Sequence, residues 1–182
     1  MKRVDGHRLL LLIFGILSIA VMAVIFLFSN QSGDESSALS ESFIKQAKDT
    51  GLDAFTPKFK LGNNEEGKKD EEGPVFELNV RKWGHVYLYA LLGLMTMLWS
   101  AELLRGKKLR LPAGALMAFV ICMLYACTDE FHQTFIDSRE GKPFDLIYDA
   151  LGSGTSIILV LLLLLIFSRL IKTLRRKAND PH

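Results

Sequence analysis

The sequence has 182 residues, 49% of them hydrophobic, and a formal net charge of +2. A net charge so close to zero gives no reason to expect a nucleic-acid partner. The hydrophobic residues are gathered into four long blocks, which a soluble domain of this size does not need, so the composition indicates a membrane protein.

The four blocks predict four transmembrane helices. Residues 9–28 contain no charged side chain and are long enough to cross a hydrocarbon core of roughly 30 Å as a helix. Blocks of similar length follow at about 83–101, 111–128 and 147–168. Only helices and closed barrels satisfy their own backbone in lipid. We therefore predict a single all-α membrane domain over residues 1–182, built as a four-helix transmembrane bundle.

The first two predicted helices are separated by a long polar loop, residues 29–82. Apolar residues early in this loop recur at helical spacing and predict a short amphipathic helix: Leu39, Phe43, Ile44 and Ala47. At the end of the loop, Phe76, Leu78 and Val80 alternate with polar residues, which predicts a brief extended segment before helix 2.

Basic residues predict the orientation of the bundle. They cluster before helix 1, in the link between helices 2 and 3, and after helix 4, within residues 2–8, 105–110 and 169–177. Lys- and Arg-rich ends stay on the cytoplasmic side. We therefore expect both termini in the cytoplasm, and the 29–82 loop and the link between helices 3 and 4 outside.

Polar side chains recur in stripes at the helix ends that this orientation places outside. Lys82, His85 and Tyr89 form one stripe on helix 2, bordered by Arg81. If helix 3 persists one further turn, Asp129, His132 and Gln133 share a face, with Glu130 beside them.

Asp145 and Asp149 begin a stripe on helix 4, and Arg139 in the connecting hairpin could pair with these acids. Charge facing lipid is costly, whereas basic and acidic side chains that face one another offset that cost. The pattern predicts a polar pocket at the outer face, with these candidate residues: Arg81, Lys82, His85, Tyr89, Asp129, Glu130, His132, Gln133, Arg139, Asp145 and Asp149.

These motifs resemble those of the VanZ-like family. The stretch RKWGHVYLYALLG is similar to the family pattern R-K-x-x-H-x-x-x-Y-x-x-L-G, TDEFHQTFIDSR to D-E-x-x-Q followed by Arg, and DLIYDALG to D-x-x-x-(N/D)-x-x-G. SNQSGDESSALS after helix 1 is similar to S-x-Q-S-G-x-x-S. Ser156 stands where the family usually has Gly, which predicts looser helix packing there.

The resemblance implies a multi-pass protein of the bacterial cytoplasmic membrane. The founding member of the family is associated with resistance to the glycopeptide antibiotic teicoplanin, but the family brings no settled reaction. The implied partners are membrane lipids and a lipid-linked cell-wall precursor or a glycopeptide antibiotic.

Three functions stay open on the sequence. The first is a cell-envelope factor whose outer pocket binds a lipid, a wall precursor or an antibiotic. The second is a membrane-embedded enzyme, in which His85, Asp129, Glu130 and His132 are residue types suited to acid–base chemistry or to a divalent metal. The third, transport or scaffolding, ranks last, because no helix interior is broken by Pro or charge. No motif names a cofactor or a metal site.

Overall fold

The computed structural model describes residues 6–31, 77–136 and 145–179, together with Ala38, Ser42, Lys45 and Gln46. Four long helices make up this part of the chain: α1 (Gly6–Ser29), α2 (Glu77–Leu103), α3 (Arg110–Gln133) and α4 (Asp145–Asn179). Each is long and apolar enough to cross a membrane. The predicted all-α architecture with four spans is confirmed.

The second helix starts earlier than the sequence pattern predicted. It begins at Glu77, so the extended segment expected at 76–80 is wrong for residues 77–80, and Phe76 lies outside the described residues. A three-residue alternation is a weak signal of extended structure, and the α-helical backbone at residues 77–80 overrides it.

The third helix continues to Gln133, which supplies the extra turn on which the predicted stripe depends. The fourth runs on to Asn179, well past the expected end near 168. At 35 residues it is roughly 52 Å long, longer than a bilayer core, so its basic last turns extend beyond the apolar span. Of the amphipathic helix expected after α1, the backbone is helical at Ala38, Ser42, Lys45 and Gln46; the rest lies outside the described residues.

The bundle is organised around α2. Its most extensive interface is with α4, while α1 packs mainly on α2, and α3 packs on both α2 and α4. Small residues allow the close approaches: a Cβ at Gly152 would meet the backbone of Val86, and one at Gly93 would lie 2.7 Å from the Ser153 carbonyl. Packing at Ser156 is close rather than loose, because Gly93 on the facing helix makes the space.

Two different surfaces result from this packing. The interior holds Tyr89, Leu92, Met97 and Cys122, each 0% exposed. Large apolar side chains instead cover the outside, among them Leu12 (61% exposed) and Leu124 (63%). A bundle with an apolar exterior is what a lipid environment requires.

A short turn at residues 104–109 joins α2 to α3, and Gly106 adopts a φ of 85° within it, a left-handed conformation that glycine accepts without steric cost. At this end His7 Nδ1 lies 2.8 Å from Glu102 Oε1. At the other end α1 and α3 finish, and α2 and α4 begin. We call this second end the polar end.

Candidate functional site

Two contacts between a basic and an acidic side chain join α2 to α4 at the polar end. His85 Nδ1 lies 3.3 Å from Asp149 Oδ1, and Lys82 Nζ lies 3.8 Å from Asp145 Oδ1. The contact between Gly152 and Val86 sets this pairing, because it brings the two helix axes together less than one turn below His85 and Asp149. Both pairs are longer than the 2.7–2.9 Å of a strong charge-assisted hydrogen bond.

A third contact ties α1 to α3. Ser29, the last residue of α1, donates a hydrogen bond of 2.8 Å from its hydroxyl to Asp129 Oδ2. The Gln133 amide donates to the same oxygen at 3.0 Å. All three side chains are buried. Asp129 Oδ2 therefore receives two donors, one from its own helix and one from α1.

Tyr89 lies between the two halves of the site. Its side chain is 0% exposed, its ring stacks 6.3 Å from that of His85, and it lies 6.4 Å from the ring of Tyr125. Tyr125 is one helical turn before Asp129 on α3, so Tyr89 lies between the His85–Asp149 contact and the side of α3 that carries Asp129. We refer to these side chains together as the polar cluster: Ser29, Lys82, His85, Tyr89, Asp129, Gln133, Asp145 and Asp149.

Several atoms of the polar cluster are buried without a hydrogen-bond partner among the described residues. They include the Tyr89 hydroxyl, Asp129 Oδ1 and Asp149 Oδ1. Asp149 and Asp129 are only 2% and 4% exposed. Most buried polar atoms in proteins are paired, so each orphan needs an explanation such as a bound molecule or water.

The polar cluster is deep at one side and open at the other. The side chains of His85 and Asp149 are 18% and 3% exposed, whereas those of Lys82 and Asp145 are 34% and 28% exposed. The Lys82 ammonium also lies 5.0 Å above the ring of Tyr148, a cation–π contact. The Lys82–Asp145 pair therefore stands at the rim, and the His85–Asp149 pair lies below it.

The structure does not bring every predicted residue into this cluster. His132 turns towards α1, where its ring stacks 4.8 Å from Phe26 and its Nε2 lies 3.4 Å from Asn30 Oδ1. Glu130 is buried, at 9% exposure. The side chain of Arg81 and the whole of Arg139 lie outside the described residues.

Sequence reasoning missed the contribution of α1. Ser29 was not among the candidate residues, although it is the first residue of the SNQSG motif and the first polar residue after a 10-residue apolar stretch that follows Ser18. Tyr148 was not among them either, and the structure gives it the contact with Lys82. A polar residue at the last turn of an apolar helix was the available signal.

The part of the chain that the structure describes offers no set of side chains to bind a metal ion. Within residues 6–31, 77–136 and 145–179, no group of three or more His, Cys, Asp or Glu side chains is placed to hold a metal ion. The position of His132 against Phe26 and Asn30 explains this, because the sequence-based metal hypothesis required His132 to converge with His85, Asp129 and Glu130.

Four apolar helices with a polar cluster at one end define a multi-pass membrane protein. The sequence model of the VanZ/LLP1 family matches residues 14–166, a range that contains the whole polar cluster. The chain belongs to this family. No curated protein and no solved structure gives a significant match.

Proposed function

We propose that this VanZ/LLP1 protein lies in the bacterial cytoplasmic membrane with both termini in the cytoplasm, and that its polar cluster opens at the outer face. There it binds the headgroup of an envelope lipid, a lipid-linked wall precursor or a glycopeptide antibiotic. Through this binding it contributes to tolerance of antibiotics such as teicoplanin. The three basic segments at the opposite end support the orientation, since such segments are retained in the cytoplasm.

The observation that carries the proposal is the set of orphaned polar atoms. Three carboxylates, Asp129, Asp145 and Asp149, belong to the polar cluster, and two of them, Asp129 and Asp149, are almost fully buried. Burying charge is costly unless it is paired. In an arrangement that serves folding alone, the orphaned polar atoms would be hydrogen-bonded within the protein. In a binding site they are left to bind a ligand.

The rim of the polar cluster suits an anionic headgroup. Lys82 is a partly exposed cation whose distance of 3.8 Å to Asp145 leaves it weakly engaged. A lysine ammonium binds phosphate as a point charge. Because Lys82 stands at the end of a transmembrane helix, its side chain reaches the depth of lipid headgroups, and a lipid-linked ligand can approach it from the bilayer.

The test compares strains that lack or overproduce the protein for growth in teicoplanin and for envelope lipid composition. We expect susceptibility or lipid composition to change in opposite directions in the two strains. The deletion strain is then complemented with His85→Ala or Asp145→Asn. The matched control is Tyr87→Phe, on the same helix as His85 but 62% exposed on the outside.

Loss of the phenotype with normal protein abundance in the cluster variants, but not in Tyr87→Phe, is the expected result. Loss of abundance in step with the phenotype would show that the cluster serves folding. Unchanged susceptibility and lipids in both the deletion and the overproducing strain would contradict the proposed function.

A membrane-embedded enzyme is the second candidate, and the contact between His85 and the buried Asp149 is the observation that favours it. A histidine oriented by a carboxylate is a common general base. Turnover of a lipid-linked substrate by purified protein, abolished in His85→Ala, would support this candidate. Binding of the intact substrate without any product would favour the binding function.

A further inference from the structure

We propose that the end of α4 opposite the polar end binds the headgroups of anionic phospholipids, in the leaflet where this helix leaves the bilayer. The site consists of other residues than the polar cluster, so it stands or falls separately from the proposed function. Its basis is a length of helix that projects past the bundle with its positive charges gathered on one side.

The last turns of α4 project beyond the other helices. Both α2 and α4 begin at the polar end, and they face each other at Gly93 and Ser156. Since both helices advance by the same rise per residue, Leu103 at the end of α2 lies about level with Ile166 in α4. Past that level α4 continues for roughly 20 Å. The side chains of residues 169–176 are all exposed, and we call this stretch the α4 arm.

The α4 arm lies at the level of lipid headgroups. A hydrocarbon core of roughly 30 Å is crossed by about 20 helical residues, so a span that starts at Ile147 ends near Phe167. The headgroup layer adds roughly 5–8 Å on each side of the core. The first turn of the α4 arm, Arg169 to Lys172, therefore lies among headgroups, and its last turn borders on water.

No acidic residue is close in sequence to the cations of the α4 arm. The sequence contains no Asp or Glu from residue 150 to residue 179. The ion pairs described at this end join His7 and Arg105 to Glu102 and involve no residue of the α4 arm. Cations that stand among headgroups favour lipids with a net negative charge. A second copy of the chain would bring further cations instead, so charge favours a lipid over a contact between two arms.

The α4 arm also has two different sides. Residues three, four and seven positions apart share one side of a helix. The basic side consists of Arg169, Lys172, Arg175 and Arg176, and the apolar side of Leu170, Ile171 and Leu174. A helix with a basic and an apolar side lies at the boundary between headgroups and acyl chains. Because the apolar stretch of α4 is longer than the bilayer core, a tilt brings the apolar side onto the acyl chains and leaves the basic side chains beside the phosphates.

The first experiment measures lipid binding by the purified full-length protein. Phosphatidylglycerol is titrated into the protein in detergent and followed by native mass spectrometry, with phosphatidylcholine as the zwitterionic reference. The test variant carries Arg169→Gln and Lys172→Gln. We expect the wild type to prefer phosphatidylglycerol roughly tenfold or more, and the test variant to lose most of this preference, since each basic residue beside an anionic headgroup contributes up to roughly fivefold.

The matched control carries Lys107→Gln and Lys108→Gln. These two lysines are exposed at the same end of the bundle, in the turn between α2 and α3, so the control removes the same charge from a segment without an apolar side. It should keep the preference for phosphatidylglycerol. Both double variants should keep the melting temperature of the wild type, because all four side chains are exposed, and this shows that lost lipid binding is not unfolding.

The second experiment locates the apolar side of the α4 arm. In a Cys127→Ala background, which leaves only the buried Cys122, Leu174→Cys is labelled with an environment-sensitive fluorophore. The protein is placed in nanodiscs of phosphatidylcholine alone or mixed with phosphatidylglycerol. We expect a blue-shifted emission in the mixed nanodiscs, reversed by high salt because salt screens the headgroup contact, and absent when Arg169→Gln and Lys172→Gln are added.

Three outcomes would overturn the proposed lipid site. Equal losses of phosphatidylglycerol binding in the two double variants would show that surface charge in general binds the lipid. The same emission in both kinds of nanodisc would show that the α4 arm does not respond to anionic headgroups. A dimer in the native mass spectra that is lost with Leu170→Ser and Leu174→Ser would assign the apolar side to a second copy. None of these results bears on the polar cluster, whose variants are tested by the teicoplanin phenotype.

Discussion

His85 on α2 and Asp149 on α4 lie with Nδ1 and Oδ1 3.3 Å apart, less than one helical turn from the place where Gly152 contacts the backbone of Val86. The two facts are connected. Side chains as short as aspartate and histidine can meet across a helix pair only when the helix axes are close, and a missing Cβ at the crossing is what permits that. The glycine therefore determines the site without taking part in its chemistry.

The first prediction follows from this dependence. In Gly152→Ala the new Cβ would lie 3.0 Å from the carbonyl carbon of Val86 and closer still to its oxygen. Backbone atoms cannot move aside as a flexible side chain can, so we expect the free energy of unfolding to fall by about 1–3 kcal/mol or more. The measurement is the midpoint of thermal unfolding in detergent, together with protein abundance in the membrane.

Gly154→Ala is the matched control, because it lies in the same helix and its added Cβ would meet only the ring of Phe119 at an ordinary 3.7 Å. This variant should fold as the wild type does, or slightly better, since alanine favours a helix over glycine. Equal stability of the two variants would contradict the close crossing of α2 and α4.

The second prediction concerns the contact between Ser29 and Asp129. Removing the hydroxyl in Ser29→Ala takes one of the two described donors from Asp129 Oδ2 and should lower the free energy of unfolding by about 1–3 kcal/mol, because the acceptor is a buried carboxyl oxygen. Asp129→Asn should also destabilise the protein. In the double variant the two losses should not add, since both remove one interaction.

A double-mutant cycle on thermal or denaturant unfolding measures that coupling. We expect an interaction energy above about 0.5 kcal/mol between positions 29 and 129. Ser168→Ala supplies a reference, because the Ser168 hydroxyl bonds only the carbonyl of Leu165 in its own helix among the described contacts. A coupling near zero would mean that α1 is not held to α3 through this pair.

The fold was predictable because its signals are long and strong. Four apolar blocks fix the number of helices, and the spacing of His85 and Tyr89, or of Asp145 and Asp149, fixes which side chains share a face. The residues at which the helices begin and end were less predictable. Three alternating residues at 76–80 predicted an extended segment where the structure has the first turn of α2, because local spacing says little about whether a helix begins early.

The site was predictable only in part. Spacing along one helix shows which side chains share a face, but it does not show which neighbouring helix that face contacts. His132 occupies the predicted face of α3, yet α1 offers it Phe26 and Asn30, and no periodicity within α3 can report where a neighbouring helix lies. For the same reason Ser29 escaped notice. Its role depends on how far α1 reaches along α3, which is a property of the assembled bundle.

The third prediction concerns the opposite end of the bundle. Glu102 Oε1 accepts from His7 Nδ1 at 2.8 Å and lies 3.0 Å from Arg105 Nε. Glu102 is thus the anchor for the first turn of α1. We expect His7→Ala to cost no more than about 1 kcal/mol, since His7 is partly exposed, but to speed hydrogen exchange of the amides in that first turn.

Hydrogen exchange by mass spectrometry checks this, with Arg8→Ala as the control. Arg8 is the next residue along the chain and is exposed, so its removal should leave exchange in the first turn unchanged. Binding at the polar end should be unaffected in both variants. Equal exchange in His7→Ala and Arg8→Ala would show that the Glu102 contact does not hold α1.

The fourth prediction decides which face of the membrane the polar end occupies. Thr134 is exposed directly after α3, and Lys108 is exposed in the turn between α2 and α3, so the two mark opposite ends of the same helix. In a Cys127→Ala background, which removes the exposed cysteine and leaves the buried Cys122, single cysteines are placed as Thr134→Cys or Lys108→Cys. Spheroplasts are then treated with a membrane-impermeant maleimide.

Because basic segments are retained in the cytoplasm, Thr134→Cys should react in intact spheroplasts and Lys108→Cys only after the membrane is opened. The reverse pattern would put the polar cluster on the cytoplasmic side, where it could not meet an antibiotic outside the cell or the outer leaflet.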